Sequence, residues 1–138
     1  MSIEVSNLSF TYMEKSPYEK KALNDVSVKV NEGDFFAIIG HTGSGKSTFI
    51  QHLNALIRLK TGKIKVFDID LTAKRIDLKK LRSDVGMVFQ YPEYQLFDET
   101  VAKDVGFGPR NLKLEKEDVD RRVRRAIELV GLDYNEVA

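Results

Sequence analysis

The eight residues GHTGSGKS, from Gly40 to Ser47, constrain the fold of this chain more than any other stretch. They fit the pattern G-x-x-x-x-G-K-[ST]. They lie between an apolar run, FFAII (35–39), and a segment whose apolar residues recur at helical spacing. Glycines let a backbone fold tightly around an anion, and a following helix adds the partial positive charge of its N-terminus. The pattern predicts a phosphate-binding loop between a buried strand and a helix. The alternative, a Gly-rich structural turn, is disfavoured by this setting.

The side chains of the loop have different predicted roles. Lys46 is expected to reach the β- and γ-phosphates as a flexible point charge, and the Ser47 hydroxyl to ligate Mg²⁺. His41 occupies a variable position of the pattern and is interpreted as a lining residue, not a base. His52, on the following helix, is interpreted as a packing or surface residue. The predicted nucleotide-binding set is Gly40, His41, Thr42, Gly43, Ser44, Gly45, Lys46, Ser47 and Thr48.

Apolar periodicity predicts an α/β fold with two kinds of strand. Apolar and polar residues alternate over residues 3–12, with one shift of phase, and over 26–30, which predicts half-buried strands of an antiparallel element. The polar stretch 13–21 between them is predicted to be a loop. FFAII (35–39) and DVGMVFQ (84–90) are predicted to be buried strands of a parallel sheet with helices on its faces, and a further strand is predicted around residues 64–66.

Helical spacing of apolar residues predicts four helices, at about 45–60, 73–82, 101–105 and along the stripe Val119, Val123, Ala126, Ile127 and Val130. In the second helix, Leu78 and Leu81 are expected to point inward. Thr100 is expected to cap the third helix, and Gly106, Gly108 and Pro109 to end it. The stripe of the fourth helix is interpreted as core.

Charge and composition exclude several classes of function. The chain has 22 basic and 21 acidic residues, which argues against nucleic acid as a partner. RRVRR (121–125) is accordingly interpreted as a solvated helix face. There is no cysteine, so neither a disulfide nor a thiolate metal site is expected. No signal peptide is visible at the start, and the longest apolar run is far short of a membrane span. A soluble chain is predicted, with any membrane contact made through a partner.

Three segments together resemble the ATP-binding subunits of ABC transporters: LSFTY (8–12), ALNDVSVKVNEGDFFAIIGHTGSGKST (22–48) and VGMVFQ (85–90). The resemblance implies that ATP and Mg²⁺ bind, with Tyr12 stacked on adenine. It also implies that the Gln90 carbonyl contacts Mg²⁺ or the attacking water, so that Lys46 and Gln90 are the catalytic residues. For Tyr12 the alternative is an ordinary aromatic residue at a strand end. Tyr18 is a weaker candidate for stacking.

Further residues narrow the resemblance. GHTGSGKST with FQYPEYQLFDETVAKDVGFGP is similar to the energy-coupling factor importers, which take up vitamins and metal ions through separate membrane-embedded binding proteins. QYPEYQLF and TYMEKSPYEKKAL are most similar to the second of the two paired ATPase subunits. The resemblance implies a dimer with the paired subunit, a transmembrane coupling subunit, a substrate-binding membrane protein, and a place on the cytoplasmic face of the cell membrane.

The aromatic segment after Gln90 is predicted to be an interface. By the resemblance, a coupling helix of the membrane partner would sit on the apolar surface formed by Tyr91, Tyr94, Leu96 and Phe97. The alternative is that these side chains only cover a nearby helix.

Several motifs of the family do not occur in these 138 residues: the LSGGQ-type signature, an aliphatic run ending in Asp-Glu, and the switch histidine. We therefore expect a truncated ABC ATPase domain. Residues 1–90 would carry the β subdomain, the phosphate-loop core and the Q-loop, and residues 91–138 would begin the helical subdomain. Nucleotide binding without meaningful hydrolysis is expected, as is self-association through unpaired strand edges. Two rival hypotheses remain: an ABC-type ATPase outside transport, in DNA repair or translation, and a non-catalytic nucleotide-binding module.

Overall fold

A computed structural model of the chain describes residues 2–138. The chain divides into two compact units, one ending at Met87 and the other beginning at Val88, which are described separately. The first unit contains a four-stranded sheet in the order β2-β1-β3-β4, with every neighbouring pair antiparallel. Its strands are β1 (Ser2–Tyr12), β2 (Lys20–Asn31), β3 (Thr61–Val66) and β4 (Ile69–Asp70). The predicted antiparallel element and the strand at residues 64–66 are confirmed.

The shift of phase in the β1 sequence corresponds to a bulge in the β1–β2 ladder. The register changes between Val5 and Leu8, where Asn7 and its cross-strand neighbour Asp25 both adopt positive φ, 51° and 53°. The Asn7 amide donates to the Asp25 carboxylate at 2.8 Å. Asn and Asp tolerate this backbone region better than most residues, and a bulge re-aims the side chains that follow it. Leu8 is consequently fully buried.

The core of the first unit lies against this sheet. Helix α1 (Lys46–Leu53) contributes Phe49 and His52, and helix α2 (Leu78–Asp84) contributes Leu81. The Asp77 carboxylate caps α2 by accepting from the Lys80 N–H at 2.9 Å. The buried apolar cluster is Val5, Leu8, Phe10, Leu23, Phe49, Ile64, Val66, Leu71 and Leu81.

Neither of the two segments that were predicted to be buried strands forms a strand. Residues 35–39 form no strand, and Phe35 and Ile39 are almost fully exposed. Residues 84–90 form none either: Asp84 ends α2, and Val88 is 86% exposed. An apolar run becomes a buried strand only beside strands that accept its backbone hydrogen bonds and under layers that cover both faces. Within residues 2–138 the sheet has only its four antiparallel strands.

Two helix predictions for the first unit also need correction. Helix α1 ends at Leu53, well short of residue 60, because Ala55 adopts a positive φ of 53° and the Asn54 side chain accepts from the Leu56 N–H. Leu78 is 40% exposed and does not point inward, since it is the first residue of α2. Leu81 is fully buried, as predicted.

The second unit is helical. It begins with a 3₁₀ turn (Pro92–Gln95), followed by α3 (Val101–Asn111), α4 (Lys116–Leu129) and α5 (Tyr134–Val137). Thr100 caps α3, as predicted, by accepting from the Lys103 N–H. The predicted core stripe on α4 is confirmed in part: Val119, Val123 and Ile127 are buried, whereas Ala126 is exposed and Val130, just beyond the helix, is 72% exposed.

The predicted end of α3 is wrong, because the helix runs through Gly106, Gly108 and Pro109 to Asn111. Gly106 is buried where α3 packs on α4. A Cβ there would lie 2.5 Å from the Arg110 guanidinium and 3.5 Å from Val123. Glycine at this position therefore permits close helix packing and does not terminate the helix.

Candidate phosphate-binding site

The predicted phosphate loop lies directly before α1. Gly43 and Gly45 adopt positive φ values of 80° and 92°, a region that other residues enter only at a cost. A Cβ at Gly45 would lie 2.4 Å from the Ala22 carbonyl oxygen of β2, and one at Gly40 would lie 2.6 Å from the Ser44 hydroxyl. The glycines of the motif therefore allow the backbone to turn and allow the loop to lie close to the sheet.

Lys46 folds back over the loop that precedes it. Its ammonium donates to the Gly40 carbonyl at 2.6 Å and the His41 carbonyl at 2.9 Å, and lies 3.4 Å from the Ser44 hydroxyl oxygen. These contacts hold a full positive charge inside the loop, at the first residue of α1. A charge so placed can neutralise part of an anion bound there.

The N-terminus of α1 is uncapped by any side chain. The first N–H groups of a helix have no acceptor within the helix, and the aligned peptide dipoles make that end partly positive. Ser47, in the first turn, is exposed and presents its hydroxyl to solvent. A bound phosphate requires hydrogen-bond donors, which the uncapped N–H groups and the lysine ammonium can supply. Its Mg²⁺ requires an oxygen ligand, which the Ser47 hydroxyl can supply.

Tyr12 is held beside the same helix. Its hydroxyl lies 3.0 Å from the Thr48 hydroxyl, and its ring packs edge-to-face on Phe10, with centroids 4.8 Å apart. The residue is still 39% exposed. Tyr18, in the turn between β1 and β2, is 78% exposed and has no ring partner among the described residues. The structure thus places an anchored aromatic ring beside Thr48, the residue that directly follows the motif.

The two histidines occupy different environments. His41 is exposed, and its Nδ1 lies 2.8 Å from the neighbouring Thr42 carbonyl. His52 is 1% exposed, and its ring packs edge-on against Phe10. Its Nδ1 lies 2.7 Å from the Thr48 carbonyl, whereas its Nε2 has no partner. Burial lowers the pKa of His52, although the carbonyl contact acts in the opposite sense. Of the two predicted environments for His52, packing is correct.

Lys20 falls in the stretch 13–21, which was predicted to be a loop. Lys20 is the first residue of β2, and its ammonium lies 3.9 Å from the position a Cβ would take at Gly43. A second positive charge therefore stands beside the loop. The sequence did not predict this proximity, because Lys20 lies far from the motif along the chain and the two are brought together only by the fold.

Gln90 and the aromatic segment belong to the second unit. Gln90 is exposed, and its amide lies 3.4 Å from the Tyr91 hydroxyl. Tyr91, Tyr94, Leu96 and Phe97 are each more than half exposed. Phe97 packs edge-on against Phe107 of α3, with centroids 5.0 Å apart, so this side chain does cover a helix in part. The segment as a whole presents apolar surface to solvent.

A metal ion at the loop would depend on few protein ligands. Among residues 2–138 no group of three or more His, Asp or Glu side chains is arranged to hold a metal. The Ser47 hydroxyl, together with phosphate oxygens of a nucleotide, fits Mg²⁺, which typically keeps few protein ligands. Within the same residues, no helix is long and apolar enough to cross a bilayer.

The family profile of the ABC transporters matches residues 23–138, and the chain belongs to this family. Its curated relatives include the energy-coupling factor transporter ATP-binding proteins EcfA2. That of Clostridium tetani is 53% identical over 97% of this chain and 46% of its own length. That of Caldanaerobacter subterraneus is 54% identical over 96% and 46%. The chain thus spans about half the length of the curated relatives it matches. The predicted resemblance to the second energy-coupling factor ATPase subunit is confirmed.

Solved structures agree. The cbiO1 protein of Clostridium perfringens, described as part of the transporter complex cbiONQ, is 33% identical and superposes with a TM-score of 0.76 over 96% of this chain and 51% of that one. The ATP-binding cassette MJ0796, a dimer in a post-hydrolysis state with ADP and Pi, is 26% identical, with a TM-score of 0.78 over 96% and 59%. The predicted fold class, an α/β ABC ATPase domain with an antiparallel N-terminal sheet, is confirmed.

Proposed function

We propose that this chain binds ATP with Mg²⁺ at Gly40–Thr48, as part of the ATP-binding subunit of an energy-coupling factor importer. The observation that carries the proposal is the Lys46 ammonium, which is held by the loop carbonyls of Gly40 and His41 beside the uncapped N-terminus of α1. The relatives named energy-coupling factor transporter ATP-binding proteins support the choice of nucleotide and of transport system.

Each residue has a defined role in this proposal. Backbone N–H groups of residues 43–48 surround the phosphates, and Lys46 contacts the β- and γ-phosphates through its ammonium. The Ser47 hydroxyl holds Mg²⁺, which offsets negative charge on the phosphates. The Tyr12 ring, anchored by its hydroxyl to Thr48, stacks on adenine. Lys20 adds charge beside Gly43.

Gln90 and the aromatic segment are proposed to connect nucleotide binding to transport. The Gln90 amide carbonyl, a neutral oxygen ligand, would contact Mg²⁺ or the attacking water. The exposed surface of Tyr91, Tyr94, Leu96 and Phe97 would receive a coupling helix of the transmembrane subunit. Exposed aromatic clusters of this kind are enriched at protein interfaces.

The proposed assembly follows the named relatives. The subunit would pair with a second ATPase subunit and act with a transmembrane coupling subunit and a substrate-binding membrane protein. It would lie on the cytoplasmic face of the membrane and drive uptake of a vitamin or metal ion. The near-balanced charge of the chain gives no electrostatic footprint for nucleic acid.

We further propose that residues 1–90 act as the nucleotide-binding part and 91–138 as the start of the helical subdomain. By themselves, the 138 residues would bind ATP and hydrolyse it negligibly, because they contain no run of aliphatics ending in Asp-Glu to hold Mg²⁺ and position water. Exposed apolar side chains such as Phe35, Ile39 and Val88 would make this chain self-associate.

Calorimetric titration with ATP·Mg²⁺ tests the binding site. Lys46→Ala removes a charge-assisted contact worth about 1.5–3 kcal/mol, so affinity is expected to fall roughly 10- to 150-fold. Lys63→Ala, an exposed lysine of β3, is the matched control and should bind as the unmodified chain does. Circular dichroism checks that both variants keep the sheet. Equal affinities for Lys46→Ala and the unmodified chain would refute the proposal that nucleotide binds at this loop.

A further inference from the structure

A cavity with a volume of about 800 Å³ lies in the first unit, apart from the phosphate loop. Its walls come from the segment after α1, residues 55–62, and from the segment before α2, residues 71–78, with His52 between them. Small-molecule sites typically enclose roughly 300–1,000 Å³, so the volume suits a ligand of that size. None of the predicted nucleotide-binding residues lines it.

The walls of this cavity carry charge of one sign. Arg58, Lys60, Lys74 and Arg75 line it, and no Asp or Glu does. This imbalance is local, because the whole chain has 22 basic and 21 acidic residues. Lys60 pairs with Glu14 at 3.3 Å. In the described part of the chain, the side chains of the other three make no ion pair or hydrogen bond.

The carboxylates nearest in sequence are engaged elsewhere. Asp70 accepts from the Thr72 N–H at 2.8 Å and from the Thr72 hydroxyl at 2.6 Å. Asp77 caps α2 through the Lys80 N–H. Both carboxylates are held by hydrogen bonds within their own turns, and neither lines the cavity.

The wall is not purely charged. Ile57, Leu59, Leu71 and Ile76 supply apolar surface, and His52 supplies a buried polar group. Because a carbonyl can only accept, the Nδ1 of His52 carries the proton that it shares with the Thr48 carbonyl. In the neutral ring, Nε2 is therefore an acceptor, and it has no partner among the described residues.

We propose that this cavity binds a small organic phosphate: an anionic head held by Arg58, Lys74 and Arg75, and an apolar body against the aliphatic wall. Guanidinium and ammonium groups suit phosphate because they donate several charge-assisted hydrogen bonds to its oxygens. The proposal is independent of nucleotide binding at Gly40–Thr48.

Calorimetry of the full chain with 1-naphthyl phosphate tests the site. The triple variant Arg58→Gln/Lys74→Gln/Arg75→Gln should lose about tenfold or more in affinity, because the head loses its charged contacts. Inorganic phosphate should bind more weakly than the naphthyl ester, since it has no apolar body. The same titration in the presence of excess ATP·Mg²⁺, which would occupy the phosphate loop, should give unchanged affinity for the naphthyl ester and so separates this cavity from that loop.

A charge-matched control replaces three exposed basic residues outside the cavity, Lys63→Gln/Lys65→Gln/Arg122→Gln. Circular dichroism confirms that both triple variants fold. The control should bind naphthyl phosphate like the unmodified chain. If both triple variants lose affinity equally, the effect is one of net charge and the site is refuted.

A phospholipid headgroup has the same phosphate chemistry as a soluble ester. Sedimentation with phosphatidylglycerol vesicles, against phosphatidylcholine vesicles, distinguishes the two sources. Naphthyl phosphate binding that the cavity variant abolishes supports a soluble ligand. Binding only to phosphatidylglycerol, abolished by the same variant, supports the phosphate site with lipid as the source. Binding of neither probe, or binding that the cavity variant retains, overturns the proposal.

Discussion

Replacing Gly45 by alanine should damage both the stability of the first unit and the phosphate loop. A Cβ there would lie 2.4 Å from the Ala22 carbonyl oxygen and 3.1 Å from Leu23 Cδ2, so α1 or β2 must move. The φ of 92° costs a non-glycine residue about 1–2 kcal/mol. Forced displacement of packed elements adds about 1–3 kcal/mol. We therefore expect Gly45→Ala to lower the free energy of unfolding by about 2–5 kcal/mol, measured by urea unfolding with linear extrapolation.

Gly43→Ala is the matched control, because its φ of 80° carries the same conformational cost. The nearest atom to a Cβ at Gly43 is the Lys20 ammonium at 3.9 Å, an ordinary contact. Its loss of stability should be only about 1–2 kcal/mol. Equal losses for the two variants would refute the claim that Gly45 is required by close approach to β2.

Three further outcomes are expected. In calorimetry with ATP·Mg²⁺, Tyr12→Phe should keep most of the affinity because the ring remains, whereas Tyr12→Ala should lose about 1–3 kcal/mol; equal losses would contradict stacking. Because burial lowers the pKa of His52 in the folded state, the unfolded chain binds more protons below about pH 6.5. The free energy of unfolding should therefore fall as the pH drops through and below that value. In His52→Gln it should vary less over the same range. Identical pH profiles for the two proteins would show that His52 is not the cause. Leu81→Ala should cost about 2–5 kcal/mol of stability, and Leu78→Ala, at a half-exposed position, clearly less, as urea unfolding would show.

The glycine-rich loop before α1 and the antiparallel strands could be predicted because their signals are local. The spacing of Gly40, Gly45 and Lys46 encodes a loop that its own backbone and the next helix complete. Alternation of apolar and polar residues in β1 and β2, interrupted by one shift of phase in β1, encodes a half-buried face. Likewise, Thr100 signalled a cap that involves a residue only three positions on.

The sequence predictions failed where the secondary structure of a segment depends on residues that are distant along the chain. FFAII and VGMVFQ have the composition of buried strands, but strand formation needs neighbours that no described residue provides. Gly106 and Pro109 are helix-ending signals locally, yet packing of α3 on α4 sustains the helix through them. Lys20 and the cationic cavity were missed for the same reason, because the chain brings their neighbours together only in three dimensions.

The most direct test of the nucleotide site is an amide chemical-shift titration of the isotopically labelled chain with ATP·Mg²⁺ and, separately, with AMP. With ATP·Mg²⁺, the largest changes should fall on residues 43–48, where the N–H groups of the loop and the α1 N-terminus meet the phosphates. AMP should bind more weakly and change these amides less, because it lacks the β- and γ-phosphates that Lys46 is proposed to contact. Largest changes outside residues 40–48, or equal affinity for AMP and ATP·Mg²⁺, would contradict the assignment of this loop as the phosphate-binding site.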